Sequence, residues 1–204
     1  MKQMETAHSN ARPPRWAEAI LRLLLKPEDR DSVSGDLLEE YRETIVPTLG
    51  SAADLWYVRQ VASFLLRASW VWGAMLGAAL VIRYLFDTLV PPTDYSLRTA
   101  ILTYTVLTGC LLSGFSAAWR GSSIPAGILV SLSAATIGAL FSIAATGVML
   151  AIWHDAATLD AWRYSGGLDE ALIDVPLKLV AIGATLGSGG AVCGKGVALA
   201  TRPR

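Results

Sequence analysis

The fold is decided by an apolar run at residues 124–153, which reads IPAGILVSLSAATIGALFSIAATGVMLAIW and contains no charged side chain. A helix of this length in a water-soluble protein would show a polar stripe, whereas this run is apolar all round. At about 1.5 Å per residue, such a helix is long enough to cross a hydrocarbon layer about 30 Å thick. Three other runs share this character, and the four together predict membrane spans at residues 70–90, 97–119, 124–153 and 171–194.

The composition supports an integral membrane protein. Hydrophobic residues make up 53% of the 204 residues and the mean hydropathy is +0.45, above what soluble domains usually show. The formal net charge is +0, but more than half of the charged residues lie before the first span. We therefore predict an all-α fold, an integral membrane four-helix bundle preceded by a small N-terminal cytoplasmic helical domain.

Basic residues near the span ends predict the orientation, because they favour the cytoplasmic side of a membrane. They precede the first span at Arg59 and Arg67, occupy the short second connection at Arg120, and follow the fourth span. The other two connections are mostly acidic, and we expect no signal peptide because the start of the chain is polar. These features predict a multi-pass membrane protein with both termini in the cytoplasm.

Charge and hydropathy divide the sequence into four segments. These are a polar, disordered tail at 1–11, a cytoplasmic domain at 12–67, the four spans at 68–197 and a short cytoplasmic tail at 198–204. Within the second segment, proline positions and apolar spacing predict helices at 15–26 and 28–45, followed by a third helix.

Two signals predict the start of the third helix. Pro47-Thr48-Leu49-Gly50 is a breaker, and Ser51 with Asp54 three residues later resembles a capping box. We therefore expect the chain to leave the second helix at Pro47 and to enter a helix that continues into the first span.

Four motifs in the same segment carry a resemblance to a known family. They are PPRWA at 13–17, LRLLL at 21–25, GDLLEEYR at 35–42 and WYVRQ at 56–60. Residues 12–67 thereby resemble the permease prefix domain, which stands at the N-terminus of the acidobacterial duplicated orphan permeases, relatives of the macrolide-exporter type of ABC permease. The resemblance implies a setting in a bacterial-type inner membrane, and it suggests an ABC-type permease or its ATPase as the partner if the segment docks another protein.

The rest of the chain departs from that family. The permeases carry a large extracytoplasmic domain after the first span, whereas Pro91 to Ser96 is the whole first external loop here. Their transport activity is therefore not carried over, and the resemblance transfers no catalytic residue.

The prefix-like segment contains a group of polar and aromatic residues with two interpretations. In the first, a network of carboxylate and guanidinium groups holds the second helix against the third. In the second, the group forms a docking surface for a partner. It comprises Asp36, Glu39, Glu40, Tyr41, Trp56, Arg59 and Gln60.

Charged residues inside the spans are functional candidates, because they are costly in hydrocarbon. Arg83 lies about 20 Å into the hydrocarbon layer by helical rise, and Asp87 follows four residues later on the same face. Asp174 and Lys178 repeat this spacing in the fourth span. The four residues form either two intrahelical ion pairs or a polar cluster between the first and fourth spans that lines a small outward-facing cavity.

Small residues spaced four apart predict close packing between spans, because they let helix backbones approach in lipid. The glycines assigned to this packing are Gly73, Gly77, Gly138, Gly183, Gly187, Gly190 and Gly194. The run GGAVCGKG at 189–196 contains the Gly-x4-Gly-Lys core of a phosphate-binding loop, but an apolar helix precedes it and Gly196 stands where a hydroxyl residue would bind magnesium. Nucleotide binding is therefore not predicted.

No catalytic, metal or cofactor site is predicted, since Cys110 and Cys193 lack a Cys-x-x-Cys companion and no nucleophile motif is present. The leading hypothesis is a non-enzymatic membrane subunit or regulator that docks a partner through residues 12–67. Its expected partners are the lipid bilayer and a membrane protein or a second copy of the chain, with no nucleic acid. The alternatives are a small transporter or channel built from an oligomer of the four-span bundle, and a membrane-anchored signalling protein.

Overall fold

The computed structural model of the chain describes residues 11–90, 96–121, 123–153 and 169–201. All regular structure in these residues is helical, which confirms the predicted all-α fold. The helices are α1 (Arg15–Leu24), α2 (Arg30–Glu40), α3 (Val46–Leu49), α4 (Ala53–Leu89), α5 (Ser96–Gly121), α6 (Ile124–Ile152) and α7 (Val175–Ala200).

Three short helical turns of other types extend or join these helices. Turns of the wider π type occupy Tyr41–Ile45, after α2, and Glu170–Asp174, before α7, and a 3-10 turn occupies Gly50–Ala52. Most of the predicted N-terminal tail and residues 202–204 of the predicted C-terminal tail lie outside the described residues.

Helices α4 to α7 are each long and apolar enough to cross a membrane, so the chain is a multi-pass membrane protein by length and composition. Helices α5 and α6 agree with the predicted second and third spans to within two residues at each end. The first predicted span is the second half of α4, a continuous helix of 37 residues and therefore about 55 Å long. The fourth span continues to Ala200 instead of ending at residue 194.

The transition into α4 differs from the predicted one. Pro47 does not end the helical run, which continues from α2 through the π turn and α3 to Leu49. The chain turns instead at Gly50, whose φ of 52° lies in the left-handed region that glycine adopts readily. Ala52 is the N-cap of α4 without a side-chain hydrogen bond, so the predicted capping box of Ser51 and Asp54 is wrong. The Asp54 carboxylate binds a tyrosine outside the helix instead.

The four long helices form a bundle in which α5 and α6 each pack against all three of the others, and α6 is the most buried of the four. Helices α4 and α6 run parallel, because Gly73 meets Ile137 and Gly77, one turn further along, meets Phe141. The main buried core of the bundle consists of Leu76, Leu80, Val106, Cys110, Ala135, Ala139 and Leu179.

Glycine backbones form the contact between α5 and α7, the most extensive interface in the bundle. A Cβ atom on Gly190 would collide with the carbonyl oxygen of Leu111, and one on Gly194 would collide with that of Phe115. Gly114 approaches the backbone of Gly187 equally closely. Because 111 pairs with 190 and 115 with 194, α5 and α7 run parallel to each other. The close packing predicted from glycine spacing is present in this interface.

The other glycines assigned to packing also lie at helix contacts. A Cβ atom on Gly183 would collide with the side chain of Ala135, and one on Gly138 would stand 3.0 Å from the Cβ atom of Leu76. Gly127, which the spacing did not single out, would bring a Cβ atom within 2.6 Å of atoms on two other helices. Small residues therefore set the distances between all four long helices.

A second apolar cluster joins α1, the turn after α2 and the first part of α4. Its buried members, called the N-terminal cluster below, are Ala17, Leu21, Tyr41, Ala53, Tyr57 and Val61. The rings of Tyr41 and Tyr57 meet edge to face with their centroids 5.7 Å apart. The N-terminal helices are thereby packed onto the same helix that continues into the bundle.

Candidate functional site

The exposed side of α2 and of the residues that follow it is lined with carboxylates. All five acidic side chains of this stretch are exposed, and we call the surface they form the carboxylate face: Asp31, Asp36, Glu39, Glu40 and Glu43. Tyr41, from the same stretch, is buried in the N-terminal cluster. The stretch therefore presents one apolar side to the rest of the protein and one negative side to its surroundings.

The two basic residues of this stretch bind backbone groups of the segment that contains α1. Nε of Arg30 donates a hydrogen bond to the carbonyl oxygen of Leu25 at 3.3 Å, and Nε of Arg42 donates one to that of Ala11 at 3.0 Å. These two carbonyls flank α1, so the arginines fasten α1 to α2 at both ends. With five acidic and two basic residues, the stretch at 30–49 has a formal charge of −3. Both of its basic side chains donate hydrogen bonds to carbonyl groups beside α1.

The structure separates the predicted polar and aromatic group instead of joining it in a network. Four members are exposed, and none of these takes part in an ion pair within the described part of the chain: Asp36, Glu39, Glu40 and Arg59. Two others, Trp56 and Gln60, are half-buried on α4. The predicted network is corrected accordingly, because the α2 carboxylates lie on the solvent side of their helix. Their role as a docking surface stays a prediction.

Tyr41 is the member of the group that holds the helices together. Its hydroxyl donates a hydrogen bond to Oδ1 of Asp54 at 2.6 Å. Burial, followed by the hydrogen bond to Asp54 and the charge of that carboxylate, raises the pKa of Tyr41 to about 12. The tyrosine therefore remains a protonated donor at neutral pH. The sequence analysis missed Asp54 as its partner because the two residues belong to different helices.

A second polar arrangement lies where α4 ends and α5 begins. Nε of Arg83 stands 3.2 Å from Oδ2 of Asp87, and Nη1 of Arg98 stands 3.1 Å from Oδ1 of the same carboxylate. Arg98 also donates to the carbonyl oxygens of Phe86 and Val90, at 3.2 and 2.9 Å. Those bonds satisfy backbone groups at the C-terminal end of α4. We call Arg83, Asp87 and Arg98 the charge cluster.

Both ion pairs with a spacing of four are present in the structure, but they do not meet. The charge cluster joins the first span to the second, through Arg98 of α5. Asp174, at the end of the π turn before α7, pairs with Lys178 of α7 at 3.5 Å, with side chains 59% and 64% exposed. The alternative of one polar cluster between the first and fourth spans is therefore wrong. Local spacing in the sequence could not identify Arg98 as part of this cluster, because its carboxylate partner Asp87 lies eleven residues away on another helix.

Some hydroxyl groups in the interior of the bundle bond to another helix. The Ser131 hydroxyl lies 3.0 Å from the carbonyl oxygens of both Cys110 and Gly183, and the hydroxyls of Ser69 and Ser133 are 2.9 Å apart. Within the described residues, the buried polar side chains are all serine or threonine. The hydroxyls of Ser131 and Ser69 join neighbouring spans, whereas that of Ser113 bonds within α5 and that of Thr146 has no hydrogen-bond partner in the described part of the chain.

Metal binding has no support in the described ranges, where no group of three or more His, Cys, Asp or Glu side chains is placed to hold an ion. Cys110 is buried, Cys193 is exposed, and both are free thiols. A scan against protein-family models, a search of the curated proteins and a search of the solved structures find no match to this chain.

Proposed function

We propose that this chain is a non-enzymatic accessory or regulatory protein of a bacterial-type inner membrane, and that it binds a partner through its N-terminal helices. The observation that carries the proposal is the carboxylate face, because both basic residues of the same stretch are engaged elsewhere. A surface of one sign attracts and orients a partner of the opposite sign. The partner therefore presents a basic patch close to the membrane.

The resemblance of residues 12–67 to the permease prefix domain supports an ABC-type permease or its ATPase as this partner. Both kinds of protein have surfaces beside the cytoplasmic face of a membrane, where the N-terminal helices lie if both termini are cytoplasmic. A reporter that is active only in the cytoplasm is then expected to work when fused after Arg204 and to fail when inserted near Gly166. The reverse pattern would overturn the orientation and the cytoplasmic docking with it.

The N-terminal cluster supports a regulatory role, because it ties the docking surface to the spans. Tyr41 contacts Tyr57, and Tyr57 belongs to the same unbroken helix as the first span. A displacement of α2 on partner binding is therefore passed to α4 through packed side chains. This connection gives a docked partner a route to influence the bundle.

The docking is tested by retrieving the full chain from native membranes and identifying the proteins that accompany it by mass spectrometry. The test variant carries Asp36→Asn, Glu39→Gln and Glu40→Gln, which remove three charges and preserve side-chain size. We expect the yield of an accompanying ABC-type permease or ATPase to fall about tenfold or more. These side chains are exposed, so the variant is expected to insert and fold like the original chain.

A control comes from Glu28→Gln with Asp29→Asn, which remove two acidic charges outside the carboxylate face, lie between α1 and α2 and are also exposed. This control is expected to retrieve the partner in the original amount. An unchanged yield with the three-residue variant would show that the carboxylate face does not bind the partner. Retrieval of neither a permease nor an ATPase by the original chain would remove the assignment of the partner.

The packing of the bundle weighs against the transporter alternative. The backbones of Gly114 and Gly187 touch between α5 and α7, and Ser131 fills the space between α5, α6 and α7. A pathway for an ion or solute usually requires broken helices or carboxylates near the middle of the membrane. In this protein it would have to lie between copies of the bundle.

A further inference from the structure

The outer side of α1 is basic, in contrast to the carboxylate face of α2. Residues 12–26 contain four basic residues and one acidic residue, a formal net charge of +3. Arg15, Ala19 and Arg22 lie along one exposed side of α1, opposite the buried Ala17 and Leu21. We call this exposed side the basic stripe, after Arg15 and Arg22, with Ala19 between them.

An exposed aromatic residue borders the basic stripe. Trp16 is 58% exposed, and Leu23 lies two turns further along the same edge of the helix. Arg22 pairs with Glu18 at 3.4 Å, but its side chain remains 53% exposed. Basic side chains and tryptophan are residue types that a protein presents to the surface of a membrane. Because the apolar side of α1 is packed in the N-terminal cluster, its contact with a membrane rests on the basic residues and Trp16.

The position of α1 places this surface beside the point where α5 ends. Helix α1 packs against α4 and α6, and the carbonyl oxygen of Leu23 lies 3.9 Å from the position of a Cβ atom on Gly121. Gly121 follows directly after Trp119 and Arg120 at the end of α5. Tryptophan and arginine are the residue types that concentrate where a span leaves the hydrocarbon. Helix α1 therefore lies at the level of the lipid headgroups.

We propose that the basic stripe and Trp16 bind the anionic phospholipid headgroups of the membrane that the bundle crosses. Charge complementarity identifies the occupant, since anionic headgroups attract basic side chains within a Debye length of the surface. The same headgroups repel the carboxylate face. Helix α1 thereby contacts lipid, and α2 remains available for the protein partner. The opposite charges of the two helices orient the N-terminal helices on the membrane.

A nitroxide spin label on the full chain tests this contact. The label is attached at Ala19→Cys, with Cys110→Ala and Cys193→Ala as background, and the chain is placed in nanodiscs of phosphatidylcholine mixed with phosphatidylglycerol. Collisions with a water-soluble nickel chelate are expected to be several-fold less frequent than for a label at Glu39→Cys on the carboxylate face, because headgroups shield position 19. Equal access of the chelate at the two positions would overturn the proposal.

Lipid charge and protein charge provide matched controls for the same measurement. In nanodiscs of phosphatidylcholine alone, access of the chelate at position 19 is expected to rise towards that at position 39. Arg15→Gln with Arg22→Gln is expected to have the same effect in nanodiscs that contain phosphatidylglycerol. If neither change alters the access, the shielding does not depend on charge, and the assignment to anionic headgroups is wrong.

Native membranes distinguish a lipid from a protein as the occupant. Shielding of position 19 in native membranes, combined with free access in the nanodiscs that contain phosphatidylglycerol, would assign α1 to a protein partner and overturn the proposal. None of these measurements depends on retrieval of a permease or ATPase. The lipid contact and the proposed docking function can therefore fail separately.

Discussion

Where α7 meets α5 the chain brings bare backbones together, and where α1 meets α4 it fills the space with large side chains. In the first region, Gly190 and Gly194 leave room for carbonyl oxygens of the opposite helix. In the second, Leu21 and Tyr57 are both fully buried. Helices in lipid gain little from covering apolar surface, so close backbone contact holds them, whereas burial of large side chains stabilises a cluster in contact with water.

The two regions are therefore sensitive to opposite changes. Atoms added to the glycine interface have no space, because the neighbouring atoms belong to the backbone of another helix. Atoms removed from the N-terminal cluster leave a cavity and reduce the apolar surface that folding buries. Substitutions that add atoms in one region and remove them in the other separate these two modes of packing.

The largest effect is expected from Gly190→Leu. Its side chain would collide with the carbonyl oxygen of Leu111, and α5 and α7 could form their contact only by moving apart. We expect a loss of about 3 kcal/mol or more, which leaves little folded bundle in detergent. Gel filtration of detergent-solubilised protein after heating measures the folded fraction.

The neighbouring substitution Gly189→Leu is the control, because nothing lies within 4 Å of a Cβ atom at that exposed position. Its melting temperature is expected to be unchanged or higher, since leucine forms helices better than glycine. Equal losses for the two variants would show that the contact with α5 does not limit stability.

Leu21→Ala is expected to have the next largest effect, and to confine it to the N-terminal cluster. Truncation of this fully buried side chain destabilises the packing of α1 by about 2 to 5 kcal/mol. Hydrogen exchange should accelerate in α1 and remain slow in α6. Leu55→Ala, at a position 71% exposed, should leave both rates unchanged. Faster exchange in α6 as well would show that the two regions unfold together.

Asp87→Ala tests the charge cluster, which lies at the C-terminal end of α4, away from both packed regions. The substitution leaves Arg83 and Arg98 without their shared carboxylate, at an expected loss of about 2 kcal/mol in thermal unfolding. Asp174→Ala breaks an exposed pair with the same spacing and should cost about 0.5 kcal/mol or less.

A double variant distinguishes structural pairing from a transport role. Arg83→Leu with Asp87→Leu is expected to recover part of the lost stability, because Arg98 retains its carbonyl partners. A double variant that folds but loses a solute flux present in proteoliposomes of the original chain would favour the transporter alternative.

The smallest effect concerns the pH dependence of the N-terminal cluster. Folding raises the pKa of Tyr41 from 10.0 to about 12, mainly through burial. The stability that depends on protonated Tyr41 is therefore complete below pH 10 and is lost as the pH rises through about 12. Tyr41→Phe should cost about 1 kcal/mol at neutral pH and should make the loss at high pH shallower. Unfolding curves at several pH values measure both quantities, and an identical pH profile in the variant would contradict the assignment.

Sequence patterns predicted the helices best where every position favours an apolar side chain, whether it faces lipid or the interior of the bundle. Residues 124–153 are apolar all round, and α6 ends one residue before the predicted end. Glycine spacing also identified close packing, but it did not identify Leu111 as the neighbour of Gly190. A spacing of four defines a face of one helix and contains no information on the helix opposite.

The candidate site was harder to predict, because its geometry depends on residues far apart in the chain. The motif GDLLEEYR at 35–42 drew attention to the acidic residues, but it also suggested that they pair with guanidinium groups. In the structure Arg42 binds the carbonyl of Ala11, 31 residues earlier, and the carboxylates remain exposed. The packing of α1 against α2 decides this arrangement, and local rules do not describe that packing.

The parallel pairing of α5 with α7 has a consequence for biosynthesis. Ribosomes make the four spans in order, so the backbone surface of α5 around Leu111 and Phe115 has no partner until α7 has been translated and inserted. During that interval this surface of α5 is open to lipid and to neighbouring proteins. A chaperone or insertase that covers it would protect the nascent chain. A message truncated before α7 would yield a product that quality-control proteases degrade.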